Sequence, residues 1–583
     1  MASIIEGDSV LAIDVGSATT RAILFDVVES RYRFVAIGQS PSTAHAPFND
    51  IFAGVEAAVE KLEEITGRQF IDEERHLISS FQEDGSGVDA IAATISAGET
   101  LRVVTAGLLS GVSLESAKNL AESTYARVVE EISLNDPRQE EEQIDAILKA
   151  QPHLIVIAGG TDKGASHSLK KILEVIGLAA YLMPKDKRPV ILYAGNKKMT
   201  AEVRETLEPL SSGLYTAPNI RPSVSREDLR PASAALARAV VEIRKEELPG
   251  VEMLDMWAGG RLLPSVFAEG RITNLLSRLY GAEKAILSLN LGASAATFSV
   301  GFGNRLQTKV HPSLGMGENI AELLNYTTIE NISRWLSIDV PPEKISDYIY
   351  AKALHPNTIP ATKDDLQIEQ ALGREALRIA MQETKKKLSD DLPALKRNLL
   401  PSFELILAGG SVLSHAPTYG QSLLILLDAL QPTGVTSVIL DKNALLPALG
   451  AAAEINSILP VQALESGAFT NLATVVSPIS SARYGTSILK ATLRRADGSV
   501  SEEEVKQGGF KVLPLHSGES AELILQPLHR ANIGRGAGRK IKTKVGGSAL
   551  GIVLDGRGRP LDLTSDDVRR RELIKKWLWT LGG

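Results

Sequence analysis

The chain has 583 residues, 44% of them apolar and 23% charged, with a formal net charge of −7; at about 100–200 residues per domain this predicts three or four folding units. It has no cysteine, which excludes disulfides, thiolate metal sites and cysteine nucleophiles, and its nine histidines lack the close spacing of zinc ligands. From Arg530 onward 13 Lys and Arg face 5 Asp and Glu, whereas residues 1–529 carry 50 against 65. A basic tail on an acidic body suits nucleic acid, anionic lipid or an acidic protein surface, or else packs on the chain's own acidic body. No specific nucleic-acid motif accompanies it.

The opening MASIIEGDSV carries Glu6 and Asp8 and no long apolar run, unlike a secretory signal, and no stretch approaches the ~20 apolar residues of a membrane span. A cytoplasmic protein is expected. Residues 10–40 read as three strands: apolar 11–15, alternating 21–27, and RFVAIGQS at 34–41, with a Gly- and hydroxyl-rich turn after the first. Ile51, Val55, Val59 and Leu62 have helical spacing. From about 85 to 250, short apolar runs alternate with helices. LRVVTAGL (101–108) precedes a helix near Ser113, and HLIVIAGGTDKG (153–164) and PVILYAGN (189–196) end in Gly-rich turns. That alternation predicts a parallel sheet flanked by helices. The AGG turn suits an anion at a helix N-terminus, while tight strand–helix packing explains the same glycines.

A second strand-rich block begins near 283 with KAILSLNLGASAATFSVGF, and helical stretches follow at about 316–352 and 365–390. Next come ELILAGGSVLSHAP (404–417), a helix near 419–430, the strand TSVIL (436–440) and an Ala-rich helix at 444–457. Beyond Pro460, regularly spaced short strands predict a small β-sandwich or barrel. GIVLDGRGRPLDL (551–563) reads as a hairpin closed by Gly-Arg-Gly-Arg, with Arg557 and Arg559 either phosphate ligands or members of structural salt bridges. The last 18 residues read as a basic amphipathic helix with Leu573, Ile574, Trp577, Leu578 and Leu581 on one side. It suits peripheral membrane contact or docking on the chain's own β-domain. The expected division is 1–84 and 85–250 for a first lobe with an inserted parallel α/β region, 251–460 for a second lobe, and 461–583 for the β-domain with its terminal helix.

The chemistry concentrates in DVGSATTR. Gly16 and Ser17 let the backbone approach an anion, Ser17, Thr19 and Thr20 add hydroxyls, and Asp14 at a strand end is placed to hold Mg²⁺ through water. Capping of the turn is the alternative role for Asp14. The same strand–turn–strand recurs at 286–300 with Asn290 in place of the acid, and a hydrophobic–Ala-Gly-Gly-Ser turn follows at 405–411.

That ordered set resembles the superfamily of acetate and sugar kinases, heat-shock chaperone ATPases and actin, in which two ribonuclease-H-like lobes clasp a nucleotide. The resemblance implies an α/β fold of two actin-like lobes with ATP and Mg²⁺ as ligands. Phosphates would be held by 14–20 and by Asn290, Gly292 and Ser294, with Gly409, Gly410 and Ser411 supporting adenosine. Within the superfamily, AIDVGSATTRAILFDV, LRVVTAGLLSGVSLESAKNLAES, IVIAGGTDKG, VILYAGN, ELILAGGSVL and LDKNALLPALG are similar to the glutamate mutase accessory protein L family over about 10–457. The family is encoded beside coenzyme-B12-dependent mutases, and membership implies a reactivating or chaperone ATPase with a mutase as partner.

The chain departs from that family at its second turn. Where the family reads Asp-hydrophobic-Gly-Gly-Ala-Thr-Thr-Asp, this sequence has Asn290-Leu291-Gly292-Ala293-Ser294-Ala295-Ala296-Thr297. Asn neither takes a proton nor offers a full charge, and loss of a positioning group slows phosphoryl transfer by orders of magnitude. Asn290 as an Asx-turn residue with no ligand is the other reading. The expectation is a nucleotide-dependent accessory protein with slow or absent hydrolysis. Its rival is an actin-like scaffold that self-associates or forms filaments; a small-molecule kinase ranks third.

Overall fold

The computed structural model describes residues 8–162, 164, 167–389, 391–396 and 398–583. The N-terminal run MASIIEG and Lys163 of the glycine-rich run 153–164 lie outside the described residues. The chain forms two units. One comprises Met1–Glu269, Thr308–Pro312 and Pro447–Leu459; the other comprises Gly270–Gln307, Ser313–Leu446 and Pro460–Gly583.

The first unit opens on β1 (Val10–Val15), β2 (Thr19–Val28), β3 (Arg31–Pro41) and β4 (Ala90–Ile95). Every residue of β1 is buried, as expected of a strand with neighbours on both edges and covered faces. The helix Ile51–Thr66 starts where Asp50 accepts from the Phe52 amide at 2.9 Å and stops at Gly67, whose φ of +69° suits a residue without a Cβ. Its buried face of Ile51, Val55, Ala58, Val59 and Leu62 packs on β2 and β3. Each large apolar side chain there contributes about 1.5–3 kcal/mol relative to exposure.

Between β4 and the end of that sheet lies the inserted region. Its strands are β5 (Leu101–Gly107), β6 (Ala126–Ser133), β7 (Leu154–Ala158), β8 (Val190–Tyr193) and β9 (Gly213–Thr216), all parallel in the order β6-β5-β7-β8-β9. Two separate apolar clusters, one around Ile155 and Ile157 and the other around Leu154 and Val156, cover its opposite faces. The chain then returns as β10 (Leu263–Pro264), completing the first sheet as β10-β4-β1-β2-β3.

A second sheet, mostly in the second unit, repeats that order. β11 (Ala285–Leu291), β12 (Ala296–Phe302), β13 (Arg305–His311), β14 (Phe403–Gly409) and β15 (Gly434–Leu440) lie as β13-β12-β11-β14-β15. In both sheets a central strand pairs antiparallel with its hairpin partner on one side and parallel with a later strand on the other. This duplicated ribonuclease-H-like order makes the chain a two-lobed actin-like α/β protein with an inserted parallel region. The helix Lys363–Lys385, started by a reciprocal Thr362–Asp365 capping box, carries much of the second core together with the helix Tyr419–Leu430. The expected helix 444–457 is shorter, Leu445–Ala452, and is followed by Ile458–Glu465.

After residue 466, β16 (Thr470–Ser477) extends the second lobe's sheet. β17 (Ser487–Arg495) and β18 (Val500–Lys506) start a new sheet, β19 (Phe510–Leu513) returns to the lobe, β20 (Ser520–Pro527) and β21 (Ile541–Gly546) finish the new sheet, and β22 (Ile552–Asp555) lies between β16 and β19. Val476, Leu489, Leu493, Val505, Leu523, Val545 and Leu554 share one core, so the two sheets form a sandwich.

The expected 551–563 hairpin is absent. β22 pairs parallel with β16 and antiparallel with β19, and residues after Asp555 form no return strand. The reason is electrostatic. Arg557 and Arg559 turn inward, donating to Asp555 at 2.9 and 2.7 Å, and Arg557 also reaches Asp428 at 2.6 Å. Burial pushes the Asp555 carboxyl up, but the two guanidinium groups outweigh that and hold it below the usual carboxylate range. The terminal helix Asp567–Thr580 buries Ile574 and Trp577 with Leu581 just beyond it, as its spacing predicts. It docks on the helix Tyr419–Leu430 and on β19, with Trp577 4.7 Å from the Arg557 guanidinium.

Candidate functional site

The first turn is closed by the Gly16 amide donating to Thr19 O at 3.0 Å, and a Cβ on Gly16 would stand 2.9 Å from that same oxygen. Asp14 is 5% exposed and does not cap this turn, so that alternative falls. Its Oδ1 accepts from Thr94 Oγ1 at 2.7 Å and from Ser265 Oγ at 2.9 Å, and its Oδ2 from Arg21 Nη1 at 3.4 Å. Arg21 is its cross-strand partner in the β1–β2 ladder, and Thr94 its partner in the β1–β4 ladder. The Tyr125 phenol is pushed well up by burial first, then by the charges of Glu269 and Asp14, and it bonds with the Ser96 side chain. A residue just ahead of β6 thus stands in the electrostatic neighbourhood of the first turn.

Ser17 Oγ is buried with no hydrogen-bond partner among the described residues. A phosphate oxygen at the turn would supply one, and the Gly16 backbone has no Cβ to hold it off. Thr19 is half-buried at the start of β2; Thr20 is fully buried with its hydroxyl against Gly54. A single carboxylate with hydroxyl neighbours fits Mg²⁺, which keeps most of its waters and binds through few carboxylates plus phosphate. Among the described residues no three His, Cys, Asp or Glu side chains group to hold a metal.

The second turn has the same closure: the Gly292 amide donates to Ala295 O at 3.0 Å. Asn290 stands where Asp14 does, and its cross-strand partner is Thr297 where Asp14 has Arg21. Both members of the charged pair are therefore replaced. Gly409 is the parallel-strand partner of Asn290, and Gly410, at φ +113°, packs so tightly on the Leu291 carbonyl that a Cβ there would clash. Asn290, Gly292, Ser294, Gly409, Gly410 and Ser411 thus lie at the ends of neighbouring strands of the second unit. The Met316 and Gly317 amides donate to Gly292 O and Ala293 O at 2.9 and 2.8 Å, buttressing the turn from a Gly-Met-Gly segment that the sequence reading passed over. Asp441 is 2% exposed and gives both oxygens to the Leu445 and Leu446 amides at 2.9 Å, so it caps a helix.

In the inserted region the glycines follow the packing reading. A Cβ on Gly159 would stand 2.8 Å from Leu108 Cγ, and one on Gly195 would stand 2.8 Å from Gly159 O. Thr94, Ser265, Arg21 and Tyr125 were missed from sequence. Only the sheet order brings Thr94 and Ser265 to Asp14, and no local pattern marks them.

Residues 10–467 match the family model described as MutL protein. Protein MutL of Clostridium tetanomorphum is 22% identical over 397 residues, 64% of this chain and 78% of the relative. Among solved structures, the ethanolamine utilization protein EutJ from Carboxydothermus hydrogenoformans is 10% identical, covering 77% of this chain and 91% of that one with a TM-score of 0.27. The (R)-2-hydroxyglutaryl-CoA dehydratase component A of Acidaminococcus fermentans is 8% identical, covering 77% and 97%, with a TM-score of 0.26. Similarities that low carry no argument, and the fold rests on the duplicated sheet order. No described helix is long and apolar enough to cross a membrane.

Proposed function

Because the chain belongs to the MutL protein family, we propose that it is an actin-like nucleotide-binding accessory protein that acts on a coenzyme-B12-dependent mutase and hydrolyses ATP weakly or not at all. The observation that carries this reading is the pair of hairpin turns with one closure and different charge. Gly16–Thr19 and Gly292–Ala295 close identically at 3.0 Å, but only the first retains an acid and its cross-strand arginine.

In this reading the exposed backbone of Gly16, with Ser17 and Thr19, takes the phosphates, and Asp14 orders Mg²⁺ waters while Thr94 and Ser265 fix its carboxylate. Bound Mg²⁺ supplies charge neutralisation at the phosphates. Gly292 and Ser294 offer a second phosphate surface without a carboxylate, and Gly409, Gly410 and Ser411 support the adenosine. Asn290 in the acid's place leaves no carboxylate at that position to orient water, which favours binding and release over rapid cleavage.

Titration calorimetry of the full chain with Mg-ATP tests this. Wild type is expected to bind, Asp14→Ala to lose most of that binding, and phosphate release to stay near background. No heat of binding at millimolar ATP, or rapid turnover by wild type, overturns the reading.

A further inference from the structure

The sheet β18-β17-β20-β21 is open, and β18 and β21 each ladder on one side only. An open edge leaves a row of backbone N–H and C=O groups able to pair with another strand. The apolar inward side chains of these four strands, including Leu489, Leu493, Val505, Leu523 and Val545, belong to the sandwich core, while inward Glu503 of β18 pairs with Lys511 of β19 at 3.4 Å. The outward face mixes uncharged residues such as Thr492, Ile524 and Gln526 with charged ones, and the predominant charge changes strand by strand. β18 presents Glu502 and Glu504 with Lys506 at its end, β17 Lys490 and Arg494, β20 Glu522, and β21 Lys542 and Lys544, so the β18 edge is acidic on balance. Lys490 meets Glu502 at 2.8 Å and Lys542 meets Glu522 at 2.7 Å, so the alternation is used inside the sheet.

The two open edges therefore carry opposite charge. Basic residues on an edge ordinarily discourage pairing, but here the basic edge has an acidic counterpart on the same molecule. Two β21 edges or two β18 edges would repel, whereas β21 beside β18 extends the alternation. Strand direction agrees. All three ladders are antiparallel, so β18 and β21 run in opposite directions, and an unrotated second β18 lies antiparallel to β21. A shift that places Lys542 opposite Glu504 and Lys544 opposite Glu502 also sets Ile541 beside Val505 on the inward face.

We propose that a second copy of this chain docks its β18 edge on the β21 edge of the first, continuing the sheet. The contact uses two different surfaces and leaves one of each free, so repetition gives an open head-to-tail assembly rather than a closed pair. It requires no nucleotide.

The test uses the full chain in sedimentation velocity and negative-stain electron microscopy across concentration and salt. Wild type is expected to associate, less so at high salt. The charge reversals K542E/K544E and E502K/E504K are each expected to weaken association by about tenfold or more. An equimolar mixture of the two is expected to recover it, because each reversed edge then meets its complement. That recovery also requires both variants to be folded. The neutral variant K542Q/K544Q is expected to associate less than wild type even if a reversal proves unstable. A wild type that stays monomeric up to its solubility limit overturns the proposal. So does association unchanged in K542Q/K544Q, or failure of a mixture of two folded reversal variants to recover, and association abolished by nuclease assigns the basic edge to nucleic acid instead.

Discussion

Ser265 donates to Asp14 Oδ1 at 2.9 Å across 251 residues of chain, onto the same oxygen that Thr94 reaches at 2.7 Å. Two hydroxyl donors on one oxygen and an arginine on the other leave the carboxylate little freedom to rotate. Positioning of this kind matters to a group that orders metal-bound water, because misaligned charge contributes less. Ser265→Ala is therefore expected to weaken Mg-ATP binding by about tenfold with a stability loss of only about 1–2 kcal/mol. Calorimetry beside urea unfolding separates the two effects. Affinity equal to wild type in a folded Ser265→Ala protein would show that Asp14 needs no such support.

The second turn poses the converse question. Restoring the acid by Asn290→Asp puts a carboxylate opposite Thr297 instead of an arginine, in a sheet where β14 separates its strand from the one that runs into the helix-capping Asp441. With a hydroxyl rather than a guanidinium as cross-strand partner, the introduced charge is expected to lower stability by about 1 kcal/mol at neutral pH, with less loss at acid pH where it is protonated. Phosphate release is expected to remain at the wild-type level, because the acid alone does not rebuild the pair. A clear gain in turnover from the single substitution would mean that the rest of the site is intact.

Both hairpins were legible in the sequence because each is a local event: an apolar strand, a turn of small residues and a second strand. The Asp14 surroundings were not, because Thr94 and Ser265 arrive on β4 and at the start of the helix after β10. Nothing within a few residues of either announces that meeting. For Arg557 and Arg559 the salt-bridge reading holds, and only the hairpin expected around them fails. Gly-Arg-Gly-Arg has the local look of an exposed turn, and the partner that drew Arg557 inward, Asp428, lies 129 residues earlier. The glycines after β7 were correctly open to a packing role, which Leu108 confirms at Gly159. Short-range pattern thus gave elements, and long-range pairing decided which charged groups are ligand-facing and which are structural.

The buried cluster makes a stability prediction. Arg557, Arg559 and Asp555 have fully buried side chains, and the Arg557 guanidinium also lies over Phe510 and Trp577 at 5.0 and 4.7 Å. Removing one partner strands the others without compensation, so Arg557→Ala is expected to cost about 3–5 kcal/mol. Urea unfolding followed by tryptophan fluorescence reads it, since Trp577 reports directly on the cluster. A loss below about 1 kcal/mol would mean that the ions are solvated or rearranged when Arg557 is absent.

Acid sensitivity of the first unit follows from two histidines. His153 is held down to about 4 by burial and then by Arg102 and Arg244, and its Nδ1 accepts from the Arg102 amide at 3.1 Å, which requires a neutral ring nitrogen. His311 is held down to about 3 by burial and by Lys309. Unfolding releases each ring to its ordinary value near 6.5, so between the folded and ordinary values the unfolded chain binds more protons. Stability from these sites is therefore full above about pH 6.5 and declines as pH falls towards 4. At about 1.4 kcal/mol per pKa unit, His153 alone accounts for about 2–4 kcal/mol of that decline. Thermal unfolding of wild type and His153→Gln between pH 7 and 4 checks the sign and the size. The wild-type midpoint should fall more steeply than that of the variant, and parallel curves would mean that His153 is already protonated in the fold.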